Sequence, residues 1–177
     1  MYLDKAKKRA EDLYRLNSGQ PYPCTIEEVE EIERWSGHRF PEAHREFLLW
    51  MGRGGGFLQG FDGFYRHLKD LPSFAQELLE EDQFIGQLPE NAFIFLMYQR
   101  FQFNCFYLDD SDDPPIYWYS EEIPTTTSFT LLYSCFSEFI LTEIEGHIKS
   151  YESLAATKRI HTKTKSNEIG KSQKEEI

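Results

Sequence analysis

Apolar residues recur at helical spacing three times before the chain reaches its first aromatic cluster. Leu3, Ala6, Ala10, Leu13 and Tyr14 share one face between Lys and Glu, predicting an amphipathic helix that packs on the body and closes at Asn17-Ser18-Gly19-Gln20-Pro21. Ile26, Val29, Ile32 and Trp35 line a second helix. Thr25 and Glu28 stand before it at capping-box spacing, and Gly37 supplies its stop. A third helix begins at Pro41, whose missing N–H costs nothing in a first turn. It buries Phe47, Leu48 and Met51, with His44 and Trp50 close by, and halts at Gly52-Arg53-Gly54-Gly55-Gly56.

Beyond residue 57 the pattern changes. Residues 57–66 mix aromatics with Gly, as in a short strand and turn, and Pro72–Glu81 turns Phe74, Ala75, Leu78 and Leu79 inward as a helix. Phe93–Tyr98 is a buried strand, and Phe101, Phe103, Cys105 and Tyr107 alternate with Gln102, Asn104 and Phe106 in period two. Ile116–Tyr119 and Phe129–Leu132 supply further strands, and a helix from Ser134 to Ile148 presents Phe136, Phe139, Ile140 and Ile144. From Lys158 the chain has no aromatic residue and no apolar period, which predicts a flexible tail. Helices, then strands, then a helix, without βαβ alternation, make an α+β protein. The expected organisation is an N-terminal helix and linker over 1–20, a domain over 21–155 and a polar tail over 156–177.

The charge sharpens this picture. The 177 residues carry a net −11, but residues 1–20 hold +2 and residues 156–177 hold +3, leaving −16 on the body between them. A groove for nucleic acid needs clustered Lys and Arg, so direct nucleic-acid binding by the body is excluded. An acidic body suits a basic partner or a strongly solvated surface. The longest apolar run, Ala92–Tyr98, is far below the roughly 20 residues that span a bilayer. The first eleven residues are charged throughout, unlike a signal peptide, and Cys24, Cys105 and Cys135 form no CxxC pair. The expectation is a cytoplasmic protein with reduced thiols and no membrane role.

Candidate chemistry is sparse. Gly52–Gly56 lacks the Lys-Ser/Thr of a phosphate loop and leads out of a helix, so a helix stop is the stronger reading. The turn Asp109, Asp110, Asp112, Asp113 offers oxygen ligands for a hard cation, but it lacks the EF-hand Gly and Glu. A solvated turn or an electrostatic docking surface fits it better. The five histidines are scattered, and neither GxSxG nor HxE with PCxxC is present. The residues therefore call for no enzyme, no metal and no cofactor.

Three stretches in order carry a resemblance. The first is Thr25–Glu33 followed by Phe40-Pro41, Phe47-Leu48 and the glycines; the second is Leu88-Pro89-Glu90-Asn91 leading into Phe93–Tyr98. The third joins Leu108-Asp109-Asp110 and Asp113-Pro114-Pro115-Ile116-Tyr117 to Ser134–Ile140. Together they resemble the SUKH superfamily, which includes Smi/Knr-type fungal cell-wall synthesis regulators and bacterial toxin-immunity proteins. Met51-Gly52-Arg53-Gly54 departs from the Asn-Gly-Gly-like ending common in that group. The resemblance implies helices packed on a curved, mostly antiparallel sheet. It also implies a protein-binding role, typically the neutralisation of a toxin, often a nuclease or deaminase. The expected partner surface is Asp109, Asp110, Asp112, Asp113, Glu121 and Glu122, with Glu80, Glu81 and Asp82 as a second acidic patch. Tyr117, Trp118 and Tyr119 are candidate aromatic anchors, or else residues alternating between core and surface. The alternative role is an intracellular scaffold or regulatory adaptor without a toxin partner.

Overall fold

In the computed structural model, the described residues are 1–55, 57–58, 61–109, 111–121 and 128–172. Three helices come first: α1 (Asp4–Asn17), α2 (Ile26–Ser36) and α3 (Glu42–Met51). Strand β1 (Phe61–Asp62) and helix α4 (Leu71–Glu81) follow. Then come β2 (Ala92–Tyr98), β3 (Gln102–Tyr107), β4 (Ile116–Ser120), β5 (Thr130–Tyr133) and α5 (Phe136–Ser172). The strands form one antiparallel sheet in the order β1-β2-β3-β4-β5. The α+β class and the closing helix are as the residue pattern requires.

Local sequence sets the helix ends. The Glu28 N–H donates to Thr25 Oγ1 at 3.3 Å and the Thr25 N–H donates to the Glu28 carboxylate at 2.8 Å, so the capping box is complete. Gly37 closes α2 in the left-handed region, at φ 74°. Gly52, which follows the last residue of α3, leaves no room for a side chain, because a Cβ there would lie 2.5 Å from Cys24 Sγ. Only Val29 and Ile32 of the expected α2 stripe are buried; Ile26 and Trp35 are 57% and 45% exposed. Those two sit in the first and last turns of the helix.

The sheet is covered on both faces, which overturns the simple alternation expected in β3. Phe103, Asn104, Cys105 and Phe106 are all buried. Phe103 stacks on Tyr119 at 5.5 Å, on the face that also meets Phe84 beyond α4. Phe106, three residues on and therefore opposite, meets Phe93, Phe95 and the α5 residue Phe136. His44 of α3 sits in this second layer with no exposed surface.

Helix α5 buries Phe136, Phe139, Ile140 and Ile144, as the spacing predicts, and adds Ile148. α1 lies along it with Leu3, Ala6, Ala10 and Leu13 buried, so the first helix does pack on the body. The helix does not end at Ile148 but continues to Ser172, and the polar stretch expected to be a flexible tail is helical that far. No Gly or Pro stands between Gly146 and Gly170 to interrupt the backbone bonds. No helix among the described residues is long and apolar enough to cross a membrane.

Candidate partner-binding surface

The acidic turn between β3 and β4 is partly a brace. Asp109 Oδ1 accepts the Ser111 N–H at 2.9 Å, closing a local turn. The Asp112 carbonyl accepts the Ala43 N–H at 2.9 Å, in a first turn of α3 that has no side-chain cap of its own. The Asp113 carboxylate accepts the Ser137 N–H at 2.9 Å and the Ser137 hydroxyl at 2.6 Å. One turn thus satisfies donors at the N-termini of two helices, where a negative charge also suits the helix dipole. The carboxylate of Asp112 stays exposed and accepts the Tyr2 hydroxyl at 3.4 Å. Asp109 and Asp112 border a cleft of about 430 Å³ with His38, Arg39, Phe40 and Leu108. Asp110 lies outside the described residues.

The other predicted acids lie elsewhere. β4 separates Asp113 from Glu121, a span of roughly 17 Å for a five-residue strand, so the turn and Glu121 do not form one patch. Glu121 instead joins Asp82, both close enough to Tyr119 to disfavour its phenolate, after burial itself. The Tyr119 hydroxyl donates to Asp82 Oδ2 at 2.7 Å. Tyr119 is only 3% exposed, which removes it from the surface anchors and gives it a core position. Tyr117 and Trp118 are half-buried, with the Tyr117 ring 4.6 Å from Tyr107. Glu80 and Glu81 are exposed at the end of α4, and Glu122 lies outside the described residues.

The sheet also presents a surface that the sequence reading missed. Leu131 and Leu132 of β5 are 58% and 42% exposed on the outermost strand. The available signal was a four-residue strand, Thr-Leu-Leu-Tyr, with consecutive leucines and no charge. Elsewhere, Met1, Tyr2, Pro21, Pro23, Leu49 and Trp50 line a groove of about 710 Å³. Its charges are already matched, since Lys7 lies over Trp50 and pairs with Glu46 at 2.7 Å. Among the described residues no three His, Cys, Asp or Glu side chains are placed to hold a metal ion.

The model of the SMI1 / KNR4 family (SUKH-1) matches residues 23–142. The chain belongs to that family. The match spans α2 to the first turns of α5 and so takes in the acidic turn, the α4 patch and β5. No curated protein matches the chain.

Within this SUKH-1 protein the two halves handle charge differently. In the helical half, Arg53 reaches Glu28 at 2.7 Å and Lys69 reaches Glu31 at 2.5 Å, while Arg45 is bonded to Glu33. Residues 71–148, which build α4, four strands and α5 as far as Ile148, hold fourteen Asp and Glu against one Arg, a net −13. That cation, Arg100, lies 3.5 Å from Glu77 and over the Phe74 ring. The remaining carboxylates of this half have no cation within their own stretch of chain. The Glu143 carboxyl is half-buried in α5, and desolvation raises its pKa.

Proposed function

We propose that this SUKH-1 protein is a non-enzymatic binding module that works in the cytoplasm as an immunity protein. Its partner is a toxin domain with a basic, nucleic-acid-handling surface. The observation that carries the reading is the net −13 of residues 71–148, a stretch of chain with a single Lys or Arg. A toxin that grips phosphates must display clustered Lys and Arg, and an acidic face of this kind speeds encounter with it and masks it. Family membership supports a protein-binding role, and the three free cysteines suit a reducing compartment.

The test is co-expression with the toxin encoded beside its gene, followed by association kinetics at rising salt. Rescue of growth and an association rate that falls steeply with ionic strength are expected. Replacing Glu80, Glu81 and Glu121 with Lys should slow association at low salt and flatten that dependence. A neighbouring toxin that is neither bound nor neutralised refutes the immunity reading.

One observation favours the adaptor reading instead. Residues 149–172 carry six Lys and Arg against two Glu on the helix that continues to Ser172. On that reading, deleting 149–172 abolishes recovery of a cellular partner, and no toxin is involved.

A further inference from the structure

The two edges of the sheet are not equivalent. β1 is two residues long and ends in Asp62, and a short charged edge discourages pairing. β5 has four residues and no charge, and no described strand pairs with its outer side. Its side chains continue a row that begins in the core. Ile94 pairs with Cys105, Cys105 with Tyr117, and Tyr117 with Leu131, so the four share one sheet face. The row is fully buried at Ile94 and Cys105, half-buried at Tyr117 and 58% exposed at Leu131. It stops where one more strand would complete its burial.

Carboxylates frame the end of this edge. Glu138 accepts the Ser134 hydroxyl at 2.6 Å just after β5. Glu143 and Glu138 both lie close enough to Tyr133 to disfavour its phenolate, with burial the larger cause. No cation pairs with either carboxylate among the described residues.

We propose that the outer edge of β5 takes up an extended basic segment of the partner protein as a sixth strand, with its apolar side chains against Leu131 and its Lys or Arg residues at Glu138 and Glu143. Backbone pairing supplies affinity in such strand addition, and alternate side chains supply selectivity. A second copy of this chain is the poorer occupant. It would bring Glu138 and Glu143 to the junction again, and residues 71–148 contain only Arg100 to offset them. The proposal rests on the partner-binding reading above and gives that partner a seat.

The experiment uses the full chain and a ten-residue peptide alternating Lys with Val, beside a Glu–Val counterpart. Backbone amide shifts locate the peptide and fluorescence anisotropy measures its affinity. The Lys–Val peptide should shift the amides of 130–133, and the Glu–Val peptide should bind at least tenfold more weakly. Glu138→Gln with Glu143→Gln, and separately Leu131→Lys, should each weaken Lys–Val binding at least tenfold. Shifts confined to other surfaces, or affinities unchanged in both variants, overturn the proposal. So does a dimer of the free protein that Leu131→Lys dissolves. The same variants enter the neutralisation assay, which separates the two ideas. Peptide seated on β5 with no toxin neutralised removes the immunity reading and keeps the edge. Neutralisation undiminished by Leu131→Lys removes the edge and keeps the immunity reading.

Discussion

His44 should make this protein acid-sensitive well above the pH at which carboxylates titrate. Its ring has no exposed surface, and among the described residues neither Nδ1 nor Nε2 has a hydrogen-bond partner. Six rings surround it, with centroids from 5.0 Å at Phe40 to 6.3 Å at Phe47. Burial alone pushes its pKa from 6.5 down to about 3. The folded state therefore holds His44 neutral while the unfolded chain gains a proton as pH falls below 6.5. The stability at stake is fully present above that value and is lost progressively toward pH 3, at about 1.4 kcal/mol per pH unit. At pH 5 the loss is about 2 kcal/mol, and it reaches about 5 kcal/mol near pH 3. The lowered carboxylates Glu27, Glu28 and Glu31 act below their ordinary value of 4.5, so the window from 5 to 6.5 is free of them. His147, also lowered by burial, acts in the same direction and is cancelled by comparing variants. Urea unfolding at pH 7 and pH 5 should show His44→Phe losing about 2 kcal/mol less stability on acidification than the wild type does. At pH 7 the variant also sheds two unsatisfied nitrogens, a gain of about 1–3 kcal/mol against a comparable cost of overpacking. His44→Leu, which cannot overpack, should show the same flattened pH dependence. Equal losses in all three proteins, or a His44 resonance titrating near 6.5, would refute the burial argument.

Asp113→Ala removes the cap that α5 receives from the acidic turn and should cost about 1–2 kcal/mol in urea unfolding, whereas Asp109→Ala should cost less than about 0.5 kcal/mol. Tyr119→Phe deletes the bond to Asp82 without disturbing the stacking on Phe103, and the expected loss is about 1 kcal/mol in the same assay. Gly52→Ala forces a Cβ against Cys24 Sγ and the Leu48 carbonyl, lowering the thermal midpoint through about 1–3 kcal/mol of overpacking. Gly37→Ala meets open space, so its cost of about 1 kcal/mol comes from the left-handed backbone alone.

What the sequence revealed depended on how far apart the interacting residues stand. The box at Thr25 and Glu28 is three residues wide, so a local pattern carries all of its information, and the helix starts where that pattern puts it. The corresponding cap of α5 is not local. Its acceptor, Asp113, precedes Ser137 by 24 residues, and no spacing rule connects them. The same turn was legible as acidic but not as structural, because the helix ends it serves are assembled by the sheet. β3 was legible as a strand, and its burial was misread. Alternation of apolar and polar side chains reports one covered face, whereas α4 and α5 lie on opposite sides of this sheet, and Asn104 is buried with its aromatic neighbours. The edge position of β5 was invisible for a related reason, since strand order is a property of pairing and not of composition.

The distribution of partners among the carboxylates, more than their number, divides the molecule. Glu28, Glu31, Glu33 and Glu46 each hold a cation from a different element and tie α1, α2 and α3 to their neighbours. Their charge is locally compensated, so they contribute little at distances beyond a Debye length of about 8 Å. Among the described residues Glu80, Glu81 and Glu121 make no ion pair, and Arg100 is the lone Lys or Arg in the chain between 71 and 148. Along the chain, compensation is therefore uneven: the helices before residue 70 carry matched charges, and residues 71–148 carry a net −13. On the proposed reading, the unmatched carboxylates of this stretch are the ones that speed encounter with a basic partner. The turn at Asp109–Asp113 adds to that field but spends Asp113 on α5, so its removal mixes a kinetic effect with a loss of stability. Glu80, Glu81 and Glu121 cap no helix, and the bond that Glu80 accepts from the Gln76 amide at 2.8 Å is exposed, so their reversal comes closer to isolating the electrostatic contribution.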